Sequence, residues 1–164
     1  MLIDTKDAIN LVSKLSFRKV VNITKVWASF FWSKWLSKPM QRGLPISISI
    51  EPTTACNLGC PECPSGLKYF TRPTGNLKPD FYESIIDQLE KVLLYLTFYF
   101  QGEPYINPSF LEMVKYASDR KIYTATSTNA HFLNDENARK TVESGLDRII
   151  ISIDGTTQEV YESY

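Results

Sequence analysis

The sequence predicts an α/β protein, a partial parallel β/α barrel of about four strand-helix units that follows an amphipathic helical segment. Four short runs rich in β-branched and aromatic residues alternate with longer stretches of helical periodicity. Each short run ends in a loop that contains polar residues, Gly or Pro. This alternation favours parallel strands joined by right-handed crossovers, so the loops after the strands meet at one edge of the sheet.

Composition and charge divide the chain into two parts. With 164 residues and 43% hydrophobic content, it can bury one sizeable core. Residues 1–42 carry eight Lys or Arg against Asp4 and Asp7, which gives this segment a charge of +6 and the rest of the chain −6. We therefore expect a basic, aromatic-rich helical segment over 1–42 and the barrel portion over 43–164.

The sequence contains neither a run of 18 apolar residues nor an N-terminal apolar stretch that ends in a small-residue cleavage site. A membrane-spanning helix and export are therefore not predicted. These features favour a cytoplasmic protein with reduced thiols, and we expect no nucleic-acid partner.

The N-terminal segment is predicted to be helical over 5–38 and to stop at Pro39. The only three tryptophans, Trp27, Trp32 and Trp35, lie within it beside several lysines. Our preferred interpretation is that these rings pack against the barrel. The alternative is an amphipathic helix that lies on an anionic membrane surface, which would make the protein peripheral to the membrane.

The first strand and the first barrel helix flank the loop that carries all the cysteines. Isoleucines at 46, 48 and 50 alternate with serines, which predicts a strand over 46–50 that stops before Pro52. After a turn-rich linker, Pro79 and Asp80 predict the beginning of a helix. Six apolar side chains are expected on its buried face: Phe81, Ile85, Ile86, Leu89, Val92 and Leu93.

Three further strands are predicted over 96–101, 122–127 and 149–153, where β-branched and aromatic residues are concentrated. Four strands do not close a barrel, so the isoleucines at 149–151 are expected to form an exposed, apolar edge. Such an edge favours aggregation or loose packing of the chain.

The helices between these strands have recognisable ends. Asn107 lies before a proline and predicts the start of the second barrel helix. Asn134 is expected to cap the third helix, which Gly145 closes. Thr156 and Glu159 predict the capping box of a fourth helix.

The three cysteines, Cys56, Cys60 and Cys63, lie within eight residues on a loop that also contains glycine and proline. Glycine and proline let the backbone wrap, so the three thiolates can converge on one inorganic group. A disulfide would leave one thiol over, and a zinc site would need His131, the only histidine, as its fourth ligand. An iron-sulfur cluster with three protein thiolates keeps one iron open to another ligand.

The spacing Cys-x-x-x-Cys-x-x-Cys directly after the first strand resembles the signature of the radical S-adenosylmethionine enzymes. The resemblance covers about residues 46–164 and implies that Cys56, Cys60 and Cys63 bind a [4Fe-4S] cluster. The family often has an aromatic residue before the last cysteine and near the adenine, where this chain has Glu62.

A second element of the resemblance follows strand two. Gly102, Glu103 and Pro104 resemble the family's Gly-Gly-Glu-Pro element, which holds the amino group of the methionine moiety, although Gln101 replaces the first glycine. The resemblance therefore implies that these residues bind S-adenosylmethionine. A glycine, glutamate and proline in sequence can also be a simple turn.

Polar residues at the ends of strands three and four complete the implied cofactor site. Ser152 and Asp154 resemble the family's ribose-facing residues, although Asp154 with the following glycine also fits a turn. Thr128 and Asn129 hold the matching place on strand three and would face cofactor or substrate, or else close an Asx turn. No catalytic residue is assigned, and His131 is interpreted as a solvated loop residue.

The resemblance implies an enzyme whose open iron chelates S-adenosylmethionine. Reductive cleavage would give methionine and a 5′-deoxyadenosyl radical, which takes a hydrogen atom from a small-molecule or peptide substrate. An electron donor such as a flavodoxin or ferredoxin is implied. The sequence around the cysteines and at 151–162 looks most like the subgroup with C-terminal auxiliary cluster (SPASM) domains.

Two other functions stay open on the sequence alone. One is a non-catalytic iron-sulfur carrier, and the other is a membrane-surface or partner-binding module built on the N-terminal helix. Because the family uses about six strand-helix units, we also expect this chain to be an incomplete enzyme with weak cofactor binding and no turnover.

Overall fold

The computed structural model describes residues 5–163, in which six α-helices and a short 3-10 helix accompany four strands. In chain order the elements are α1 (Thr5–Ser13), α2 (Phe17–Leu36), β1 (Ser47–Ser49), α3 (Pro79–Leu89), β2 (Tyr95–Thr97), the 3-10 helix (Pro104–Ile106), α4 (Phe110–Asp119), β3 (Tyr123–Thr128), α5 (Asp135–Glu143), β4 (Arg148–Ile151) and α6 (Gln158–Ser163).

The four strands form one parallel sheet in the order β1-β2-β3-β4. Leu96 of β2 is opposite Ile48 of β1 on one side and Thr124 of β3 on the other. Each neighbouring pair of strands is linked by at least one helix. The predicted α/β architecture is confirmed, and the carboxyl ends of all four strands lie at the same edge.

Helices α3 and α4 cover the sheet and bury its main core. The buried apolar side chains are Tyr82, Ile86, Leu93, Leu96, Phe98, Phe110, Met113, Val114, Ala117 and Ile122. The Tyr82 hydroxyl donates a hydrogen bond of 2.8 Å to the Met113 carbonyl, and burial raises the pKa of Tyr82. The prediction for Phe81 is wrong, because its neighbour Tyr82 takes the inward position and leaves Phe81 61% exposed.

Several predicted boundaries are wrong by a few residues. β2 covers Tyr95–Thr97 rather than 96–101, because the chain turns toward Gly102, where φ is +79°. β4 covers Arg148–Ile151 rather than 149–153. Its isoleucines are exposed, as expected for the edge of a sheet.

Of the three predicted N-terminal helix caps, one is confirmed and two are wrong. Asn134 accepts a hydrogen bond of 2.9 Å from the Asn137 amide and caps α5, as predicted. The cap of α6 is Thr157 rather than Thr156, since the Val160 amide donates to the Thr157 hydroxyl. Asn107 does not cap α4, because its buried amide group donates to the carbonyls of Pro52 and Leu77 instead.

The N-terminal segment forms two helices rather than the single helix predicted over 5–38. A short non-helical stretch separates α1 from α2. The Ser16 hydroxyl accepts a hydrogen bond from the Lys19 amide and caps the start of α2. α2 ends at Leu36, where Ser37 takes a left-handed conformation with φ of 51° before Pro39. Among residues 5–163, no helix is both long enough and apolar enough to cross a bilayer.

Polar contacts attach α1 and α2 to the barrel. One Asp147 oxygen accepts from the Asn10 side chain at 2.8 Å and lies 2.9 Å from the Lys14 ammonium, and the other accepts from the Thr124 amide. The buried Lys19 donates to the Lys121 carbonyl at 2.6 Å. The basic segment thus contacts the barrel portion through its polar side chains.

The preferred interpretation of the tryptophans is therefore wrong. Trp27, Trp32 and Trp35 are 56%, 49% and 82% exposed. They do not pack into the barrel because α2 turns its polar side, including Lys19 and Asn22, toward it.

The contacts of Asp147 predict a large loss of stability in Asp147→Ala. The change leaves the half-buried Lys14 ammonium and the Thr124 amide without their shared acceptor. We expect the free energy of unfolding in a urea titration to fall by about 3 kcal/mol. Asp119→Ala is the control, because its exposed ion pair with Lys115 contributes less than about 1 kcal/mol. Equal effects of the two changes would contradict the proposed role of Asp147.

The lowered pKa of Lys19 predicts that the free energy of unfolding rises with pH. Burial, and then the nearby Lys14 and Lys121, lower the pKa of Lys19 from 10.5 to about 8. Between these values the unfolded chain binds more protons than the folded chain, so the free energy of unfolding increases with pH. We expect this increase to be about 1 to 2 kcal/mol smaller in Lys19→Met when urea titrations at pH 8 and pH 10 are compared. Lys25→Met, an exposed lysine of the same helix, should keep the full increase.

Candidate cluster and cofactor site

One open cavity of about 330 Å³ lies where the four strands end. The loop after β1 contributes Cys56, Cys60 and Cys63, and the residues from the other three strand ends are Gly102, Glu103, Thr128, Asn129, Ser152 and Asp154. All the predicted site residues except Pro104 thus line the same cavity. Pro104 instead begins the 3-10 helix and is buried.

The cysteine loop folds tightly back on itself. The Cys63 amide donates to the Cys60 carbonyl at 3.2 Å, which makes a turn within the loop. A Cβ atom at Gly66 would lie only 2.6 Å from the backbone nitrogen and oxygen of Cys60. Glycine is therefore required at 66 for this conformation. The sequence analysis missed this role because the close approach is between Gly66 and the backbone of Cys60, in another turn of the loop.

The three thiols are half-buried and form no disulfide among the described residues. Burial raises the pKa of Cys60, and Cys56, Cys63 and Asp154 raise it further, although a backbone hydrogen bond opposes them. Negative groups that oppose one another's ionisation in this way are stabilised by a positively charged metal centre, whose ligands must be deprotonated.

The separation of these side chains distinguishes between kinds of metal site. Within residues 5–163, no three His, Cys, Asp or Glu side chains converge closely enough to hold a single metal ion. Zinc requires all its ligands within about 2.3 Å of one centre. In a four-iron cluster each thiolate binds a different iron, so the sulfur atoms lie farther apart. Three thiolates on separate irons are therefore compatible with the spacing of this loop.

Gln101 lies against the cysteine loop. Its side-chain oxygen accepts a hydrogen bond of 2.9 Å from Ser65 and lies 3.6 Å from the Cys63 sulfur. The Ser65 hydroxyl in turn accepts from the Gly102 amide at 3.1 Å. An iron-bound thiolate has no proton to donate. The hydrogen bond from Cys63 to Gln101 can therefore form only when Cys63 is a protonated thiol.

Gly102 sets the direction of the chain that leads into the site. Its φ of +79° lies in the left-handed region, and a Cβ atom there would be 2.3 Å from the Thr53 carbonyl oxygen. The next amide, that of Glu103, donates to the Ala55 carbonyl at 2.8 Å. Only glycine allows the loop after β2 to approach the loop after β1 this closely.

Glu103 is only 2% exposed, and its carboxylate accepts hydrogen bonds from three neutral donors. These are the Thr128 hydroxyl at 2.7 Å, the Asn129 amide at 2.9 Å and the Tyr105 amide at 3.3 Å. No cation of residues 5–163 pairs with this carboxylate, which has about four acceptor positions. A buried, unpaired carboxylate at a cavity wall favours a cationic ligand such as an ammonium group.

Thr128 and Asn129 form the turn that the sequence offered as an alternative. The Thr128 hydroxyl accepts from the Ala130 amide, and the Asn129 side-chain oxygen accepts from the His131 amide, both at 3.1 Å. Because the same two residues also donate to Glu103, the turn and the site are parts of one network.

His131 is exposed on its loop, as interpreted from the sequence, and it also takes part in this network. Its Nδ1 lies 3.0 Å from the Asn57 side-chain nitrogen, and its Nε2 lies 3.3 Å from the Tyr161 hydroxyl. The Asn57 oxygen accepts from the Asn129 side chain at 2.9 Å. The sequence analysis missed Asn57, whose only signal was its place beside Cys56.

Ser152 and Asp154 complete the cavity wall. The Ser152 hydroxyl lies 3.1 Å from that of Ser127 on the neighbouring strand. Asp154 also lines a smaller adjoining cavity of about 170 Å³ with Cys60 and Tyr161. The Asp154 carboxylate makes no hydrogen bond or ion pair with other residues of 5–163 and is available to a ligand.

A parallel β/α sheet with a three-cysteine loop after its first strand and a buried glutamate after its second defines a class of cluster-binding barrel enzymes. Residues 50–164 match the Radical SAM superfamily, and the chain belongs to this family. The family consists of enzymes that use a [4Fe-4S] cluster and S-adenosylmethionine.

Curated relatives include the mycofactocin maturase MftC of Mycobacterium ulcerans, which is 35% identical over 130 residues, or 78% of this chain and 35% of that protein. The PqqA peptide cyclase of Bradyrhizobium diazoefficiens is 28% identical over 116 residues, or 71% of this chain and 30% of that protein. The chain thus spans about a third of the length of these relatives.

Two solved structures share the fold. BtrN in complex with AdoMet and 2-DOIA has a TM-score of 0.61 and 22% identity, covering 76% of this chain and 53% of BtrN. SuiB of Streptococcus suis bound to S-adenosylmethionine has a TM-score of 0.57 and 22% identity, covering 72% of this chain and 27% of SuiB. The partial parallel barrel is therefore the fold of this chain.

The geometry of the loop predicts that each cysteine is needed for the cluster. After anaerobic reconstitution with iron and sulfide, the chain should develop a broad visible absorption that Cys60→Ala abolishes. Glu62→Ala is the matched control, because Glu62 is exposed in the same loop and should leave the absorption unchanged. A full cluster in Cys60→Ala would remove Cys60 from the ligand set.

Proposed function

We propose that this chain is the cluster- and cofactor-binding part of a radical S-adenosylmethionine enzyme. In this proposal Cys56, Cys60 and Cys63 hold a [4Fe-4S] cluster in the cavity at the carboxyl edge of the sheet. The observation that carries it is the buried Glu103 carboxylate, which has no cationic partner in the described chain and lines the same cavity as the three thiols.

The cofactor's amino group is assigned to Glu103. An ammonium placed at the free acceptor positions of this carboxylate would donate a charge-assisted hydrogen bond to it and offset the cost of its burial. Thr128 and Asn129 act as positioning residues in this proposal, because they fix both carboxylate oxygens. Gly102 and Pro104 shape the backbone on either side.

The ribose hydroxyls are assigned to Ser152 and Asp154, which line the same cavity after β4. A bound and reduced cluster would supply the electron for cleavage of S-adenosylmethionine to methionine and a 5′-deoxyadenosyl radical, and this radical would remove a hydrogen atom from substrate. The chain's own contribution is to orient the cofactor and to limit the access of water to the cavity. A flavodoxin or ferredoxin is proposed as the electron donor.

A peptide is the substrate class that the relatives favour. Among them are a PqqA peptide cyclase and, at the level of fold, SuiB bound to its precursor peptide SuiA. We therefore propose that the chain belongs to a peptide-modifying enzyme, with the division into a helical segment 1–42 and a barrel portion 43–164, and with auxiliary-cluster (SPASM) domains in the subgroup it resembles. A reducing, cytoplasmic setting would keep its three thiols available.

A non-catalytic iron-sulfur carrier is the competing function. Such a carrier would need a fourth cluster ligand and would give no role to the buried charge of Glu103. Binding of S-adenosylmethionine, followed through the spectrum of the reconstituted cluster, distinguishes the two functions. A spectrum that does not respond to S-adenosylmethionine would favour the carrier.

Glu103→Gln is expected to retain the cluster but to weaken S-adenosylmethionine binding. The substitution keeps the shape of the side chain and removes its charge, which is worth about 1.5 to 3 kcal/mol to an ammonium. The dissociation constant measured by spectral titration should rise about 10- to 150-fold.

Glu112→Gln provides the matched control, since Glu112 is an exposed carboxylate in the first turn of α4 and should not change the dissociation constant. An unchanged constant in Glu103→Gln, in a preparation that does bind S-adenosylmethionine, would return Glu103 to a purely structural role in the turn.

A further inference from the structure

Helix α2 has its polar side turned inward and its aromatic side turned outward. Lys19, Asn22 and Ser29 are buried against the rest of the chain. The opposite side, here called the outer face, consists of Phe17, Val20, Trp27, Phe31 and Trp35, all of them exposed. A helix that packs on a domain ordinarily buries its apolar side, so this orientation calls for a second surface that covers the outer face.

Three aromatic rings near the middle of α2, those of Trp27, Phe30 and Phe31, are in contact with one another. Trp27 stacks on Phe31 with ring centres 5.8 Å apart, and Phe30 meets Phe31 edge-on at 5.5 Å. Single exposed apolar residues are ordinary on protein surfaces, whereas a contiguous patch of large rings marks an interaction site. Because α2 has 20 residues, the outer face that contains this cluster extends along roughly 30 Å.

The charge beside this patch has one sign. Arg18, Lys25 and Lys34 are exposed on α2, and none of them forms an ion pair with the other described residues. From residue 8 to residue 50 the sequence contains no Asp or Glu. At helical spacing these three basic residues flank the outer face rather than interrupt it.

We propose that the outer face of α2 binds the surface of an anionic membrane. The rings would enter the boundary between headgroups and acyl chains, while the flanking Lys and Arg would contact lipid phosphates. The inward polar side, held by Lys19 and Asn22, would keep the barrel on the aqueous side of the helix. A second copy of the chain fits less well, because pairing two outer faces would bring their unpaired basic residues together.

Intrinsic fluorescence measures this binding directly, because all three tryptophans of the chain lie in α2. The 164-residue chain is titrated with vesicles of phosphatidylcholine containing about a third phosphatidylglycerol, and with vesicles of phosphatidylcholine alone. At about 0.1 M salt we expect a blue shift of tryptophan emission and at least about tenfold tighter binding to the anionic vesicles, because basic residues are attracted to anionic lipid. High salt should reduce the difference.

Two double variants test the two parts of the proposal. Phe31→Ser with Trp35→Ser removes apolar contact area and should weaken vesicle binding at least about tenfold, measured by the shift of the remaining tryptophans. Phe81→Ser is its control, because Phe81 is an equally exposed ring on α3 and should have no effect. Lys25→Glu with Lys34→Glu should abolish the preference for anionic lipid, whereas Lys91→Glu outside the helix should not.

All the substituted side chains are exposed, so circular dichroism should report an unchanged helix content in each variant. Absence of binding to anionic vesicles by the folded chain would overturn the proposal. So would equal weakening by Phe81→Ser. A concentration-dependent dimer that forms without vesicles and disperses in Phe31→Ser with Trp35→Ser would overturn it in favour of a second copy of the chain.

Discussion

The burial of the Glu103 carboxylate is the constraint on which the site depends. The Glu103 amide is bonded to the loop after β1, and its carboxylate oxygens are bonded to the end of β3. One residue therefore fixes three neighbouring strand ends relative to one another. No cation within residues 5–163 pairs with its charge, so a ligand that brings a positive charge would offset the cost of its burial. This makes Glu103 both a structural link and the most specific chemical feature of the cavity after the cysteines.

The cysteine loop is supported from two sides by residues of ordinary appearance. Gly66 allows the loop to close against Cys60, and Asn57 joins the loop to Asn129 and His131. The loop and the turn after β3 are thus connected by side-chain hydrogen bonds as well as by the sheet. Positions of this kind determine how far apart the three sulfur atoms lie, and hence whether a single ion or a cluster fits between them.

The N-terminal helices illustrate how polar contacts can decide the orientation of an amphipathic element. Hydrophobicity favours burial of the tryptophans of α2, yet Lys19 and Asn22 find backbone carbonyl partners on the barrel side. In the observed orientation the Lys121 carbonyl and the Leu44 backbone receive hydrogen-bond partners from α2, and these bonds offset the cost of burying the Lys19 ammonium and the Asn22 amide. The aromatic outer face is exposed because the polar side of α2 faces the barrel.

The sequence by itself determined the features that depend on local pattern. The alternation of strands and helices, the cap at Asn134 and the spacing of the three cysteines follow from neighbouring residues, and the family model matches from residue 50 onward. The tertiary structure alone decided the contacts between distant residues, such as Asn10 with Asp147, 137 positions apart. It also decided which side of α2 faces the barrel, the partners of Glu103 and the bonding of His131. Periodicity gives the faces of an element but not the polar groups that each face will meet, because those groups come from other parts of the chain.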